Sequence, residues 1–394
     1  MFARLNHPRK ALAQLFALLS LVWVAACEPT TNVPSNTGQR IDTSKPVQVA
    51  LLVPGASAQE GENLLARNFE NAARLAVADL QGVEIDLRVY NTVGGSPEQA
   101  AFAAREAVND GAKIILGPLF AEAANAAGLA VAARNVNVLT FSNNRTIAGG
   151  NVFLLGATFD NTAERLTRFA ARQGISRYMV VHGEDLAGQI GRDAIVDAIS
   201  SSGGEVVGVE SYPLSQQGIF AATSQIVNAI EASGAQAVFS TAGANADLPI
   251  LATALDDNGM DTEQTRLIGL TRWDTLPQLL ALPGLEGGLF TIPDQTTATL
   301  FRDRYTAAYG EAPHPLAGLA YDGIAAIGAL AAAGNADALT LAGLTKSQGF
   351  RGTTGVFRFL PNGLNERGLA VATIRDGAVV LLENAPTSFG AAGF

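Results

Sequence analysis

Short apolar runs alternate with helix-length amphipathic stretches from Val47 almost to the carboxyl end of the chain. VQVALLV (47–53) is a continuous β-type run, and residues 64–80 follow with Leu65, Phe69, Ala72, Ala76 and Leu80 on one helical face. EIDLRVY (84–90), a helix over 97–110, AKIILG (112–117), a helix over 120–134, VNVLTF (136–141) and NVFLLG (151–156) continue the pattern. It restarts with a helix over 160–173, RYMVVH (177–182), a helix over 187–202, EVVGVESY (205–212), a helix over 217–233, AQAVFS (235–240), a helix over 245–258 and RLIGL (266–270). GLFTI (288–292), helices near 297–309 and 315–333, and the strands 354–360, 369–375 and 378–383 close the series, with Asp376-Gly377 as a two-residue hairpin. Apolar strands separated by helices bury both faces of a parallel sheet, so the fold class is α/β. Two such runs exceed one sheet, which predicts two lobes with a cleft between them.

The amino terminus carries a different signal. Arg4, Arg9 and Lys10 precede a nearly continuous apolar stretch that ends in Val24, Ala25, Ala26 and Cys27. This is the pattern of a signal peptide, and it is short for a membrane span. Small residues before a cysteine resemble a bacterial lipobox, which predicts lipidation at Cys27 after removal of residues 1–26. The alternative is a soluble secreted protein cut after Ala26. Residues 27–46 read as a flexible tether and 386–394 as a tail. Cleavage would leave 23 basic against 36 acidic residues, a balance of −13 where the whole chain has −10. That sign excludes general nucleic-acid affinity. The single cysteine excludes an intrachain disulfide.

Chemistry-bearing motifs are missing. No G-x-G-x-x-G follows a strand, and there is no P-loop, G-x-S-x-G, H-E-x-x-H or EF-hand loop. His182 closes a strand, where a hydrogen-bonded structural role is expected. No cofactor or metal is expected, and the chain reads as non-enzymatic. Ligands of open α/β sheets sit beyond the carboxyl ends of the strands. Those ends nominate Ser57, Leu119, Phe120, Ser142, Asn143 and Asn144 in the first lobe. In the second they nominate Glu184, Asp185, Thr241, Asn245, Arg272, Trp273 and Asp274. Trp273 would close over a ligand or anchor a partner, or else pack at a lobe edge.

VALLVP, ENAARLAVADL, GAKIILGP, VNVLTFSNN, FRDRYTAAYG, LAYDGIAAIGAL and GFRGTTGVFRFLPNG, in that order and spacing, resemble type I periplasmic binding proteins of the leucine/isoleucine/valine-binding family. The resemblance implies two discontinuous lobes joined by three crossovers, near 157–160, 286–292 and 345–350. Lobe I is then 47–158 with 290–346, and lobe II is 159–289 with 347–385. ILGPLFAEAANA, SYPLSQQGI, GLTRWD and NERGLAVATIRDG look most like the lipid-anchored penicillin-binding protein activators of that superfamily. This implies a regulator of peptidoglycan synthesis on the periplasmic face of the outer membrane, with a penicillin-binding protein as partner. The alternative is the solute receptor of an ABC importer for amino acids, with a permease as partner. The family's hydroxyl residues after 112–117 are replaced here by Leu119, Phe120 and Ala121, and its Tyr-Gly step by Ala187-Gly188. The usual amino-acid clamp is therefore only partly present.

Overall fold

The computed structural model describes residues 38–390. In chain order the first elements are β1 (Val47–Val53), α1 (Glu60–Asp79), β2 (Ile85–Asn91), α2 (Pro97–Asn109), β3 (Ile114–Leu116), α3 (Ala121–Val131), β4 (Asn137–Thr140) and β5 (Val152–Leu154). Then come α4 (Phe159–Arg172), β6 (Arg177–Gly183), α5 (Leu186–Ser201), β7 (Glu205–Tyr212), α6 (Gln216–Ser233), β8 (Ala237–Ser240), α7 (Leu248–Asp257), β9 (Arg266–Gly269) and β10 (Leu289–Ile292). The chain finishes with α8 (Gln295–Tyr309), α9 (Gly318–Ala332), α10 (Leu341–Leu344), β11 (Phe350–Gly352), β12 (Gly355–Phe359), β13 (Asn365–Arg367), β14 (Ala370–Arg375) and β15 (Ala378–Glu383).

The α/β expectation holds. One sheet, all parallel, has the order β2-β1-β3-β4-β5, and a second, parallel except where β14 and β15 pair antiparallel at one edge, has β15-β14-β10-β9-β8-β6-β7. Their central strands are buried on both faces; in β1 only Gln48 is not fully buried. The first sheet is covered by α1 and α9 on one face and by α2 and α3 on the other. In the second, α4 and α5 cover one face, α6 and α7 the other. Asp376 and Gly377 both have positive φ (51° and 71°), the geometry of a type I′ turn, and β14 pairs antiparallel with β15. Thr158 and Asn161 form a reciprocal capping box at the start of α4.

The chain changes lobes at 155–158, at 293–294 and at 368–369. The third change falls well after the expected 345–350. The reason is aromatic burial. Phe357 and Phe359 of β12 belong to the first-lobe core, and Phe359 meets Phe153 edge-on at 5.9 Å. Residues 350–367 therefore form a small antiparallel sheet (β11-β12-β13) on lobe I. Residues 38–46 also differ from the expected tether. Ile41 is buried in the first-lobe core, and its N–H donates to the Ala336 carbonyl at 2.9 Å. Near the other end, the Phe389 ring lies under the Arg358 guanidinium at 4.5 Å, so the expected tail is docked at that residue. The expected signal peptide, Cys27 and the part of the expected tether before Gly38 lie outside the described residues. No helix among the described residues is long and apolar enough to cross a membrane.

Side chains lace the crossovers together. The Asn365 amide donates to the Leu154 and Gly156 carbonyls at 2.8 and 2.9 Å, and the Asn161 amide to the Asn365 carbonyl at 2.8 Å. Arg165 Nε donates to the Leu369 carbonyl at 2.6 Å. Its Nη2 shares Glu383 with Arg172. Burial pushes the Glu383 carboxyl up, but the two guanidinium partners outweigh it and hold it below the usual value. A lowered carboxylate contributes stability above its unfolded pKa and loses it as pH falls through the folded value. Glu383 is part-exposed, so Glu383→Gln should cost only about 1 kcal/mol at pH 7. Urea titration should show that gap closing below about pH 4.

Candidate functional site

A cavity of about 440 Å³ lies at the hinge end of the cleft. It is walled by both lobes and by residues at all three crossovers, including Gly156–Phe159, Pro293, Arg367 and Leu369. Leu119, Phe141, Leu270, Ile292, Leu316 and Leu319 make much of it apolar. Polar atoms come from Ser142, Asn143, Thr158, Thr162, Thr275, Thr291 and Thr354. A few placed polar groups in an apolar concavity is the usual make-up of a small-molecule site. A larger, open hollow of about 790 Å³ lies at the amino ends of β1 and β2, the wrong end of a parallel sheet for a ligand.

The first-lobe wall is built by close backbone approach. Gly117 has φ +84°, and a Cβ there would stand 2.2 Å from the Leu52 carbonyl oxygen, so only glycine lets the chain leave β3 this way. The Thr140 hydroxyl donates to the Pro118 carbonyl at 2.6 Å, tying the β3 loop to the β4 loop. Thr140 Oγ1 also accepts the Ser142 N–H at 3.1 Å, and Ser142 Oγ accepts the Asn144 N–H at 3.2 Å. Ser142 is buried in the cavity wall, and a serine hydroxyl that accepts one hydrogen bond can still donate another.

Both arginines of the wall are ion-paired. Arg272 grips Asp274 with Nε and Nη2 at 3.0 and 2.5 Å. Arg367, buried, stands 3.7 Å from Asp322, also buried. Asp322 accepts the Thr353 N–H at 2.6 Å, while Arg367 reaches Thr354 Oγ1 at 3.2 Å and the Leu155 carbonyl. Burial raises the Asp322 pKa and lowers that of Arg367, and their mutual attraction opposes both shifts. A carboxylate entering this cavity would therefore be held by hydroxyls and backbone N–H groups rather than by a free cation. No His or Cys lines the cavity, and no metal-holding cluster occurs among the described residues.

Of the residues nominated from the sequence, Leu119, Ser142, Asn143 and Arg272 line this cavity, and Asp274 supports Arg272. Ser57 Oγ turns back to the Gln59 N–H, and Asn144 Oδ1 caps a turn at Thr146. Phe120 packs against Gly95. Asp185 caps α5 through the Gly188 N–H at 2.9 Å, and Thr241 Oγ1 accepts the Gly183 N–H. Glu184 and Asn245 are exposed outside the cavity.

Trp273 needs correction. It is fully buried, stacks on Phe290 at 5.1 Å and neither closes over a ligand nor offers itself to a partner. Cβ atoms on Gly269 or Gly288 would meet its ring at 2.6 Å, so two glycines shape the slot. His182 Nδ1 lies 2.8 Å from the Gly183 carbonyl, in a buried setting away from the cavity. The residues missed were those of the hinge: Thr158, Thr162, Asp322, Thr353 and Arg367. Asp322 carried a signal, as the lone acid inside the apolar run LAYDGIAAIGAL.

A sequence model described as periplasmic binding protein matches residues 46–378. The chain belongs to the periplasmic binding protein family. That family places it in the periplasm. No curated protein matches it in sequence. Among solved structures, the periplasmic binding protein is similar to a putative branched-chain amino acid ABC transporter protein from Rhodospirillum rubrum. The TM-score is 0.73 at 19% identity, over 86% of this chain and 100% of that one. It is also similar to an ABC transporter substrate-binding protein from Desulfitobacterium hafniense in complex with Leu: TM-score 0.62, 18% identity, 86% and 100% coverage. A third is a solute-binding protein from R. palustris in complex with benzoate: TM-score 0.57, 16% identity, 89% and 99% coverage. At these identities the likeness establishes the two-lobed fold.

Proposed function

We propose that this periplasmic binding protein is the solute receptor of an ABC importer. It takes small molecules with an apolar body and one polar head, as amino acids such as leucine have. The observation that carries the reading is the hinge cavity, whose walls come from both lobes, so that an occupant gains its contacts only when both lobes hold it. The solved relatives that carry leucine or benzoate support this solute class. The receptor is non-enzymatic, and Cys27 is its lipid anchor to the cell envelope. The similar structures described above are named as ABC transporter proteins, which favours the receptor reading over the activator role expected from the resemblance.

Calorimetry with leucine, isoleucine, valine and benzoate is the test, alongside small-angle scattering for closure. At least one solute should bind and contract the protein. Ser142→Ala should weaken that solute about tenfold, the worth of one good hydrogen bond. Heatless titrations across the panel, with capture of a peptidoglycan synthase domain instead, would sink the receptor reading.

A further inference from the structure

The hinge cavity leaves the outer half of the cleft unaccounted for. The crossover at 155–158 leaves the first sheet at β5, and those at 293–294 and 368–369 adjoin β10 and β14 of the second. Counting outward from that hinge in each sheet matches β5, β4, β3, β1 and β2 in turn with β10, β9, β8, β6 and β7. The cavity obeys this register, since it joins the β4 loop to the β9 loop. At the far rim the β1 and β2 ends therefore face the β6 and β7 ends.

Each of those rims exposes large apolar side chains. On lobe I they are Leu64 (38% exposed) and Val93 (47%); on lobe II they are Leu186 (70%) and Leu214 (49%). Within each lobe the segments that carry these side chains meet. A Cβ on Gly94 would lie 2.9 Å from Glu62, which joins the Val93 loop to the first turn of α1. Leu214 Cδ2 lies 3.2 Å from the Cβ position of Gly183, just before Leu186. Single exposed leucines are ordinary, but pairs on two surfaces that face each other across a hinge are not.

We infer that these four side chains form an apolar seal: Leu64 and Val93 meet Leu186 and Leu214 when the lobes close, shutting the outer mouth of the cleft. Closure is then driven partly by lobe-to-lobe apolar burial and does not depend wholly on contacts with solute. The seal serves the receptor reading above, but its geometry rests on the strand order alone.

The test uses the full chain carrying Cys27→Ser, so that introduced thiols are the only ones. Disulfides form only where Cα atoms approach within about 7 Å. Two pairs are introduced separately, Val93→Cys with Leu214→Cys and Leu64→Cys with Leu186→Cys. Under mild oxidation each should close at least about tenfold faster than a Val93→Cys/Leu381→Cys control. Leu381 is similarly exposed but sits on the far edge strand β15. Adding Leu214→Ser to the second pair should slow its trapping about threefold by removing apolar burial.

Scattering is recorded with L-leucine and with benzoate. Contraction on either solute, with trapping no faster than the control, overturns the seal and leaves the receptor reading standing. Fast trapping without contraction on either solute upholds the seal and counts against the receptor reading. Covalent dimers in place of intramolecular bridges overturn the seal and make a second copy the occupant of the rim.

Discussion

Arg367→Met lowers the unfolding free energy by about 3–5 kcal/mol, the cost of leaving a buried charge without its partner. Arg367 is 6% exposed and Asp322 is fully buried, so water cannot replace the lost guanidinium. The Leu155 carbonyl and Thr354 hydroxyl lose a donor in the same step. The double variant Asp322→Leu/Arg367→Met should recover much of the loss, since a volume-matched apolar pair carries no stranded charge. Urea unfolding of the two single variants and the double completes the cycle. Equal summed and double losses would show that the pair is not coupled. Because Arg367 immediately precedes the crossover 368–369, solute affinity should fall with stability in the single variant and return in the double.

Trp273→Ala costs about 3–5 kcal/mol, the range for emptying a large aromatic site in a core. The ring is enclosed between Gly269, Gly288 and Phe290 and has no ligand-facing surface. Gly288→Ala should destabilise by about 1–3 kcal/mol through overpacking against the same ring. Trp273→Phe, milder in stability, should leave solute affinity unchanged when measured well below the melting temperature. A large affinity change in Trp273→Phe with unaltered stability would return Trp273 to the cleft.

Strand and helix positions were legible because parallel strands buried on both faces read as continuous apolar runs. The expected helix over 217–233 and α6 differ by one residue. Placement within the lobes was less legible. Phe357 and Phe359 fit either lobe by pattern, and only their packing against Phe153 assigns them to the first. Ile41 looked like part of a polar linker because one apolar residue has no period. Trp273 beside Arg272 and Asp274 looked like a hot spot, but the short helical turn after β9 points the indole inward while its neighbours pair with each other outside.

The amino-acid order alone determined two parallel α/β units, the type I′ hairpin at Asp376-Gly377 and the loops from which a ligand site must be drawn. These follow from local period and turn chemistry, which neighbouring residues carry. Tertiary structure decided which loops meet. Four nominated residues line the cavity with Arg367, Asp322 and the crossover threonines, while Glu184 and Asn245 stand outside it. The site is made by strand order and by three crossovers returning to one place, so its members are far apart in the chain, and no periodicity records that meeting.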